Sequence, residues 1–558
     1  MSTRAWPTAL RLIRRGIVPI LLILFVVLPA VGLFRLPSTS MEETSILQYA
    51  SMTADGHTPT KDFWTEYGPL NVYAPAAVFT VTGPSLVVER IIGLLYRAIL
   101  LGSLYAILRH YSRRIAVLGV ALTWWLLAPW GAMAYAWIGG LGMALASIAV
   151  ITTKSPVTRR RIFLAALCAG VALSFRPDLI VALACGFGIA LWPHRSEWKP
   201  WIGGLALGLS PYLVLLATAG PANIIRNLVV DPLVHLRDGR ALPFPPSWKW
   251  NAEFFSRVQQ YVDALTNRNW YGAPLVVQIA ELFWFLVVIA AIIAVATWHE
   301  RRNDRIMLAV GVFSLLLATN IYQRADISHM RLVGALWIGL TPLAVVLVTR
   351  RWFRDHSKVS LFATGGTALL LVLVAPSISF AAFYQLVHRT TTPALAYSVG
   401  DRSIIASSDT ELQEVGRAVK LIQDNSAPGD RFFQGPIDLR LTNYNEPSFY
   451  WLLPSLTPST YYLEMNPGIS NAPNSRLADD VASSDILLLS NRFENFSEPN
   501  TSTVPGNVAA SRVVAKEFCV TATTKWYTVL LNRSSHPVSL AGQVSVGRMQ
   551  VPSCRTTP

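Results

Sequence analysis

Through roughly the first 350 residues, apolar runs alternate with short basic breaks, and the runs have the length of membrane crossings. After Arg4, Arg11, Arg14 and Arg15, the segment 16–34 is almost continuously apolar. It is long enough to span and no small-residue cleavage site follows, so it reads as a retained first helix with the N-terminus in the cytoplasm. Further spans are expected at 86–108, 115–131, 134–152, 162–176, 178–193, 200–219, 274–297, 306–321, 329–348 and 360–384, about eleven in all.

Charge alternates with these crossings. If odd spans run outward, the loops carrying Arg109, Arg113 and Arg114, then Lys154 with Arg159, Arg160 and Arg161, then Arg195 and Lys199, all fall inside. So do Arg301, Arg302 and Arg305, and later Arg350, Arg351, Arg354 and Lys358. This is the positive-inside pattern, and it places 38–73, 220–273 and everything after about Gln385 outside. Trp124, Trp125, Trp130, Tyr135 and Trp137 flank one outer turn, where an interfacial aromatic belt is expected. Of 558 residues 52% are hydrophobic and 14% charged, too apolar for a soluble protein of this size. The net charge of +15 would raise the question of nucleic acid in a soluble protein, but here the basic residues occupy the short loops, and no nucleic-acid partner is expected.

The chain changes character near residue 391, becoming polar and rich in Ser, Thr, Asn and Pro. A helical period over 411–423 ends at Pro428-Gly429-Asp430, and strand-like runs follow at 431–434, 460–463, 485–489 and 526–531. The expected fold is an α-helical polytopic membrane core, residues 1–390, followed by a small extracytoplasmic α/β domain, 391–558. Cys168 and Cys185 fall within expected spans as small buried hydrophobes, while Cys519 and Cys554 lie outside and could pair.

The chemistry concentrates in 38–73, STSMEETSILQYASMTADGHTPTKDFWTEYGPLNVY, where Glu42, Glu43, Asp55, Asp62 and Glu66 follow an apolar helix directly. Ser38, Thr39 or Ser40 can cap a helix starting near Met41, and first-turn carboxylates suit its dipole. Two carboxylates at a membrane surface are equally suited to serve as a general base facing a lipid-borne substrate. On the same side stand Arg176-Pro177-Asp178 and Arg324-Ala325-Asp326-Ile327-Ser328-His329. The first can be a simple capping pair; an Arg, an Asp and a His within six residues can also bind phosphate and orient a hydroxyl. Arg90 and Arg97 share a face of the second span beside Glu89, as a structural ion pair or a phosphate contact. No glycine-rich phosphate loop, zinc-spaced His/Cys set or G-x-S-x-G elbow is present.

The acidic pair opening a helix (Glu42-Glu43-Thr44-Ser45-Ile46-Leu47-Gln48-Tyr49-Ala50), then Gly56, Pro59, Asp62, Phe63 and Tyr67-Gly68-Pro69-Leu70, resembles the first external loop of the GT-C membrane glycosyltransferases. It is most similar to the bacterial RgtA/B/C/D-like or protein-mannosyltransferase-like branch. The resemblance implies a polyprenyl-phosphate-linked sugar donor and an acidic residue that serves as base or holds the acceptor. Glu42 matches the leading Asp of that pattern and Glu43 the acid after it, each longer by a methylene, which leaves open which one is the base. Arg324, His329 and Arg176 are candidates for the donor phosphate. Asp178 and Asp326 are candidates for sugar hydroxyls or a divalent metal, although no ligand set favours a metal. Asp62, Glu66 and Tyr67 are acceptor-loop candidates. The expectation is a cell-membrane glycosyltransferase acting on an extracytoplasmic glycan, lipid or protein acceptor among membrane lipids. The competing expectations are a lipid or polymer translocator and a catalytically idle assembly protein.

Overall fold

The computed structural model describes residues 29–152, 156–242, 244, 275–352, 382–442, 444–494 and 500–555. The chain is mostly helical through its first two thirds and closes with a sheet domain. Every span expected between 86 and 348 coincides with a helix or a broken helix. Among the described residues five helices are long and apolar enough to cross a membrane: Leu86–Arg109, Pro177–His194, Leu282–Glu300, Arg305–Gln323 and Ile327–Arg350. The bent pair Trp198–Gly208 and Pro211–Ala219, at 47°, makes a sixth if it is one span. Most of the expected first and last spans, 16–34 and 360–384, lies outside the described residues.

Close helix contact within the bundle depends on small residues. A Cβ added at Gly204 or Gly208 would lie 2.2 Å from the Phe163 carbonyl or 2.4 Å from that of Leu167, so this Gly-x-x-x-Gly face lets Trp198–Gly208 lie directly on Arg159–Phe175. The aromatic residues of the outer turn do not form a belt. Trp124, Tyr135 and Trp137 are buried and Trp125 and Trp130 half-buried, so the cluster packs inward instead of standing on the surface. Cys185 is exposed on its helix rather than buried, and Cys168 is half-buried.

Two helices precede the first long described span. Helix α1, Met41–Ala54, is capped by Ser40 with Glu42 and Glu43 in its first turn. Helix α2, Pro69–Thr82, starts with proline after Gly68. The long helix α3 is Leu86–Arg109. Residues 43–52 of α1 are all buried: Ile46 packs into the bundle, while Leu47, Tyr49, Ala50 and Met52 pack with residues of the terminal domain. Helix α1 is therefore enclosed between two cores.

The terminal domain opens with a hairpin of β1 (Ala396–Val399) and β2 (Arg402–Ile405). Its main sheet is built from β3 (Arg431–Pro436), β4 (Thr457–Pro458), β5 (Ile486–Ser490), β6 (Phe518–Thr523), β7 (Tyr527–Asn532), β8 (Ser539–Val546) and β9 (Met549–Arg555), in the order β4-β3-β5-β7-β6-β9-β8. Strands β3 and β5 are parallel, and β7 runs against both β5 and β6. Alternation sorts the side chains. Phe432, Leu488, Val529 and Leu531 face the helix Asp409–Gln423, and Phe433, Leu487, Leu489 and Leu530 face Ala509–Glu517. The expected strand at 460–463 is irregular chain instead. Its backbone is committed elsewhere: the Tyr461 amide donates to Asp480, and its carbonyl accepts from the Trp64 amide at 2.7 Å.

Cys519 and Cys554 are joined across β6 and β9, which pair in parallel at Val520 and Ser553. So short a pairing leaves the β8–β9 ribbon dependent on the covalent link. With the cysteines 35 positions apart, Cys519→Ser should cost about 4 kcal/mol by loop-closure entropy. The expected readout is a lowered melting temperature of the full-length protein in detergent. Mass mapping without reductant should find the two native peptides linked.

Candidate active site

Adjacent residues on a helix project about 100° apart, and this separates Glu42 from Glu43. Glu43 turns toward α3 and receives a two-pronged ion pair from Arg90, at 2.7 Å from Nε and 3.0 Å from Nη2, with the side chains only 4% and 2% exposed. Arg90 also donates to the carbonyls of Leu33 and Leu36. Glu42 stays outside that pair and lines a cavity of about 240 Å³ with Ser40, Trp130, Tyr135 and Ser328, a cavity that Glu43 and Arg90 also border. Glu42 has no hydrogen-bond partner among the described residues.

The far wall of this cavity is set from α3. Arg97 donates to the carbonyls of Gly93 and Met133, and the Glu89 carboxylate accepts from the Ala134 amide, so both clamp the turn that presents Tyr135. The apposition of Arg90 and Arg97 on one helical face thus resolves into one ion pair, with Glu43 rather than Glu89, and one backbone clamp. Burial pushes the Tyr135 phenol above its ordinary value. Arg176 opposes that shift, while the carboxylates of Glu42, Asp326 and Glu66 add to it. Charges from four separated stretches are therefore felt at one hydroxyl.

The remaining candidates differ in how free they are. Arg176 is held by both oxygens of Asp178, at 2.8 and 2.6 Å, and lies over the rings of Tyr67 and Trp137. Asp326 takes Arg324 Nε at 2.5 Å and His329 Nδ1 at 2.9 Å. Against the cost of burial, His329 and Arg324 hold the Asp326 carboxyl well below the usual carboxylate range. With Nδ1 occupied, the Nε2 side of His329 is the one left to meet a ligand. Asp62 stands apart, exposed and closing its own turn on the Thr58 amide at 2.6 Å. Gly68 docks the loop: its amide donates to the Phe175 carbonyl at 3.1 Å, and a Cβ there would lie 2.3 Å from the Ser174 carbonyl.

Three site residues carry no sequence signal of their own. Arg240 reaches Glu66 at 3.4 Å, hydrogen-bonds Asn466 through Nη2, and offers its carbonyl to Arg324 at 3.3 Å. Glu464, supplied by the terminal domain, is 4% exposed, and burial raises its carboxyl to about 7. Tyr444, from the same domain, accepts the Met41 amide at 2.6 Å and so caps α1 from outside. Among the described residues no group of three or more His, Cys, Asp and Glu side chains is arranged to hold a metal ion; the acids here gather round Arg240.

Bundle, loop and sheet domain together make a multi-pass membrane protein with a cavity that Glu42 and Glu43 border. No family model and no curated protein matches the chain. Solved structures do: ArnT from Cupriavidus metallidurans in the apo state aligns with a TM-score of 0.50 at 12% identity, over 94% of this chain and 99% of that one. The same protein bound to undecaprenyl phosphate gives 0.49 at 12% identity, over 92% and 98%. At this identity the likeness is one of fold alone.

The two acids should separate in a stability measurement. Glu43→Ala leaves Arg90 charged and buried, which should cost about 3–5 kcal/mol. Glu42→Ala, at the cavity wall, should move the melting temperature of the purified protein little. Equal losses from both would contradict the division of roles.

Proposed function

We propose that the protein is a membrane glycosyltransferase that moves a sugar from a polyprenyl-phosphate donor to an extracytoplasmic glycan, lipid or protein acceptor, with Glu42 as general base. The observation that carries this reading is the free Glu42 carboxylate on the cavity, beside a twin that is consumed by Arg90. A sugar on a lipid phosphate already has its leaving group, so the protein must take a proton from the acceptor hydroxyl and steady the charge gathering on phosphate. Glu42 performs the first task, and displacement inverts the anomeric carbon. His329, oriented by Asp326, and Arg324 perform the second through charge-assisted hydrogen bonds. Arg176 is already neutralised by Asp178 and contributes mainly by shaping the wall with Tyr67. Glu66 and Tyr67 line the acceptor side; Asp62 only shapes the loop.

This chemistry belongs on the outer face of the cell membrane, and the disulfide of the terminal domain supports an oxidising compartment there. Reporter fusions after Arg114, Arg161 and Arg302 should read as cytoplasmic, and fusions after Tyr73 and Asn425 as external. A cytoplasmic reading at Asn425 would reject this orientation.

With synthetic undecaprenyl-phosphate-linked sugars as donors, Glu42→Gln should lower turnover by at least about 100-fold, while protein level and lipid-phosphate binding persist. His329→Ala and Arg324→Ala should weaken donor binding and turnover together. Near-normal transfer by well-folded Glu42→Gln protein would remove Glu42 as base. Persistent lipid or polymer movement with no transfer by the native protein would favour a translocator.

A further inference from the structure

The terminal domain carries a second hollow, of about 220 Å³, that shares no residue with the cavity of Glu42. Three segments meet there: the loop leaving β3, the helix Ala509–Glu517 and the tip of the β8–β9 ribbon. Val546 pairs with Met549, so the ribbon turns through Gly547 and Arg548 alone. Gly547 sits at φ 56°, and a Cβ there would lie 3.2 Å from the Ile437 carbonyl, so the turn packs closely on the β3 loop and brings Arg548 to the edge of the hollow. The disulfide between β6 and β9 holds the same ribbon to the sheet.

Charge in the hollow is unbalanced. Each segment supplies an arginine, Arg440, Arg512 and Arg548, whereas Asp438 is the one acid among the residues that line it. Asp438 is committed to Arg440: it accepts from Nε at 2.8 Å, from Nη2 at 2.7 Å and from the Arg440 amide at 3.1 Å, and those bonds hold its carboxyl below the usual range. The Arg512 and Arg548 guanidiniums and the Ser511 hydroxyl have no hydrogen-bond or ion-pair partner among the described residues. Two cations bordering one hollow therefore lack counter-charge. Ile437, Ala515 and Met549 supply apolar lining beside them.

We propose that this hollow is a binding site for a phosphorylated sugar, with Arg512, Arg548 and Ser511 on the phosphate and the sugar ring against Ile437 and Met549. Two unmatched guanidiniums suit a phosphate monoester, which carries about two negative charges at neutral pH and offers three acceptor oxygens. A carboxylate would leave one cation unmatched. The volume is below the roughly 300–1,000 Å³ of sites for drug-sized ligands, which suits a single sugar residue rather than a length of chain. The site goes beyond the transfer reaction and does not rest on the role of Glu42. It gives the terminal domain a means of holding a charged sugar other than the one that reacts.

The test is titration calorimetry of the full-length protein in detergent with glucose 6-phosphate, alongside glucose, glucuronate and inorganic phosphate. Glucose 6-phosphate should bind saturably and more tightly than the other three. Arg512→Gln and Arg548→Gln alter exposed side chains, so both proteins should fold. Each should weaken glucose 6-phosphate binding about tenfold and leave undecaprenyl-phosphate binding unchanged. Arg324→Ala should leave glucose 6-phosphate binding unchanged. Affinity should fall as pH drops through about 6, where the phosphate takes up its second proton while arginine stays charged. Absence of saturable binding, or binding that survives the double change of Arg512 and Arg548 to Gln, would overturn the site. Glucuronate binding as tightly as glucose 6-phosphate would overturn the phosphate assignment, and equal binding of inorganic phosphate would overturn the place given to the sugar ring. Binding lost with Arg324→Ala would move the ligand to the cavity of Glu42 and reject the inference. None of these readouts involves transfer, so they stand or fall separately from Glu42 as base.

Discussion

The Glu43–Arg90 ion pair fixes the geometry on which the rest of the site depends. It ties the first turn of α1 to the long helix α3 in a place closed to water, where an unmatched charge would be expensive. Arg90 spends its remaining donors on the carbonyls of Leu33 and Leu36, so the chain leaving the preceding helix, the start of α1 and the wall of α3 are held by one guanidinium. With Glu43 immobilised, its neighbour has little freedom. Glu42 lies about 100° further round the helix, outside the pair but on the same cavity that Glu43 and Arg90 border. A carboxylate held in this way is committed to its cation, and it is a good means of aiming the one beside it.

The terminal domain completes what that pair begins. Tyr444 caps α1, Ser38 exchanges two hydrogen bonds with Ile405, and Arg402 reaches Ser51, so α1 is bonded to the sheet domain along its length. Residues 226–240 enter the same junction: Trp64 donates to Asp231, and Tyr461 bonds both Asn227 and the Thr60 carbonyl. Thr60 sits at φ 65°, a conformation a β-branched residue adopts only when its surroundings hold it, and its carbonyl is held here by the terminal domain. The first loop is therefore an interior element, and its motif residues are shaped by partners hundreds of positions away.

That distance explains what was legible in the sequence. The helices between 86 and 348 could be read because span length and charge alternation are local quantities. The Tyr67-Gly68-Pro69-Leu70 motif could be read because glycine allows the close approach to Phe175 and proline starts α2. The sheet core could be read in part, since the apolar run 486–489 lies in the central strand Ile486–Ser490. The aromatic cluster at 124–137 could not, since an interfacial belt and the buried wall of a site have the same composition. Nor could 460–463, whose β-prone residues bond to side chains and to Trp64 instead of a neighbouring strand. Glu464 lies just past that misread stretch, and Arg240 follows an unremarkable Asp-Gly pair. Only their meeting marks either of them.

The acidic pair shows why a motif can locate a site without assigning its roles. Glu42 and Glu43 have the same chemistry and adjacent positions, so no property of the local sequence divides them. The division comes from what each carboxylate meets on the cavity they both border: Glu43 is bound by Arg90, and Glu42 has no hydrogen-bond partner among the described residues. The consequence extends to experiments on the pair. Replacing both acids at once disturbs the anchor together with the proposed base, so loss of transfer in the double variant would not distinguish chemistry from collapse. Substitution at Glu42 alone keeps Arg90 matched and α1 in place, which makes the single change the cleaner measure of what the cavity does.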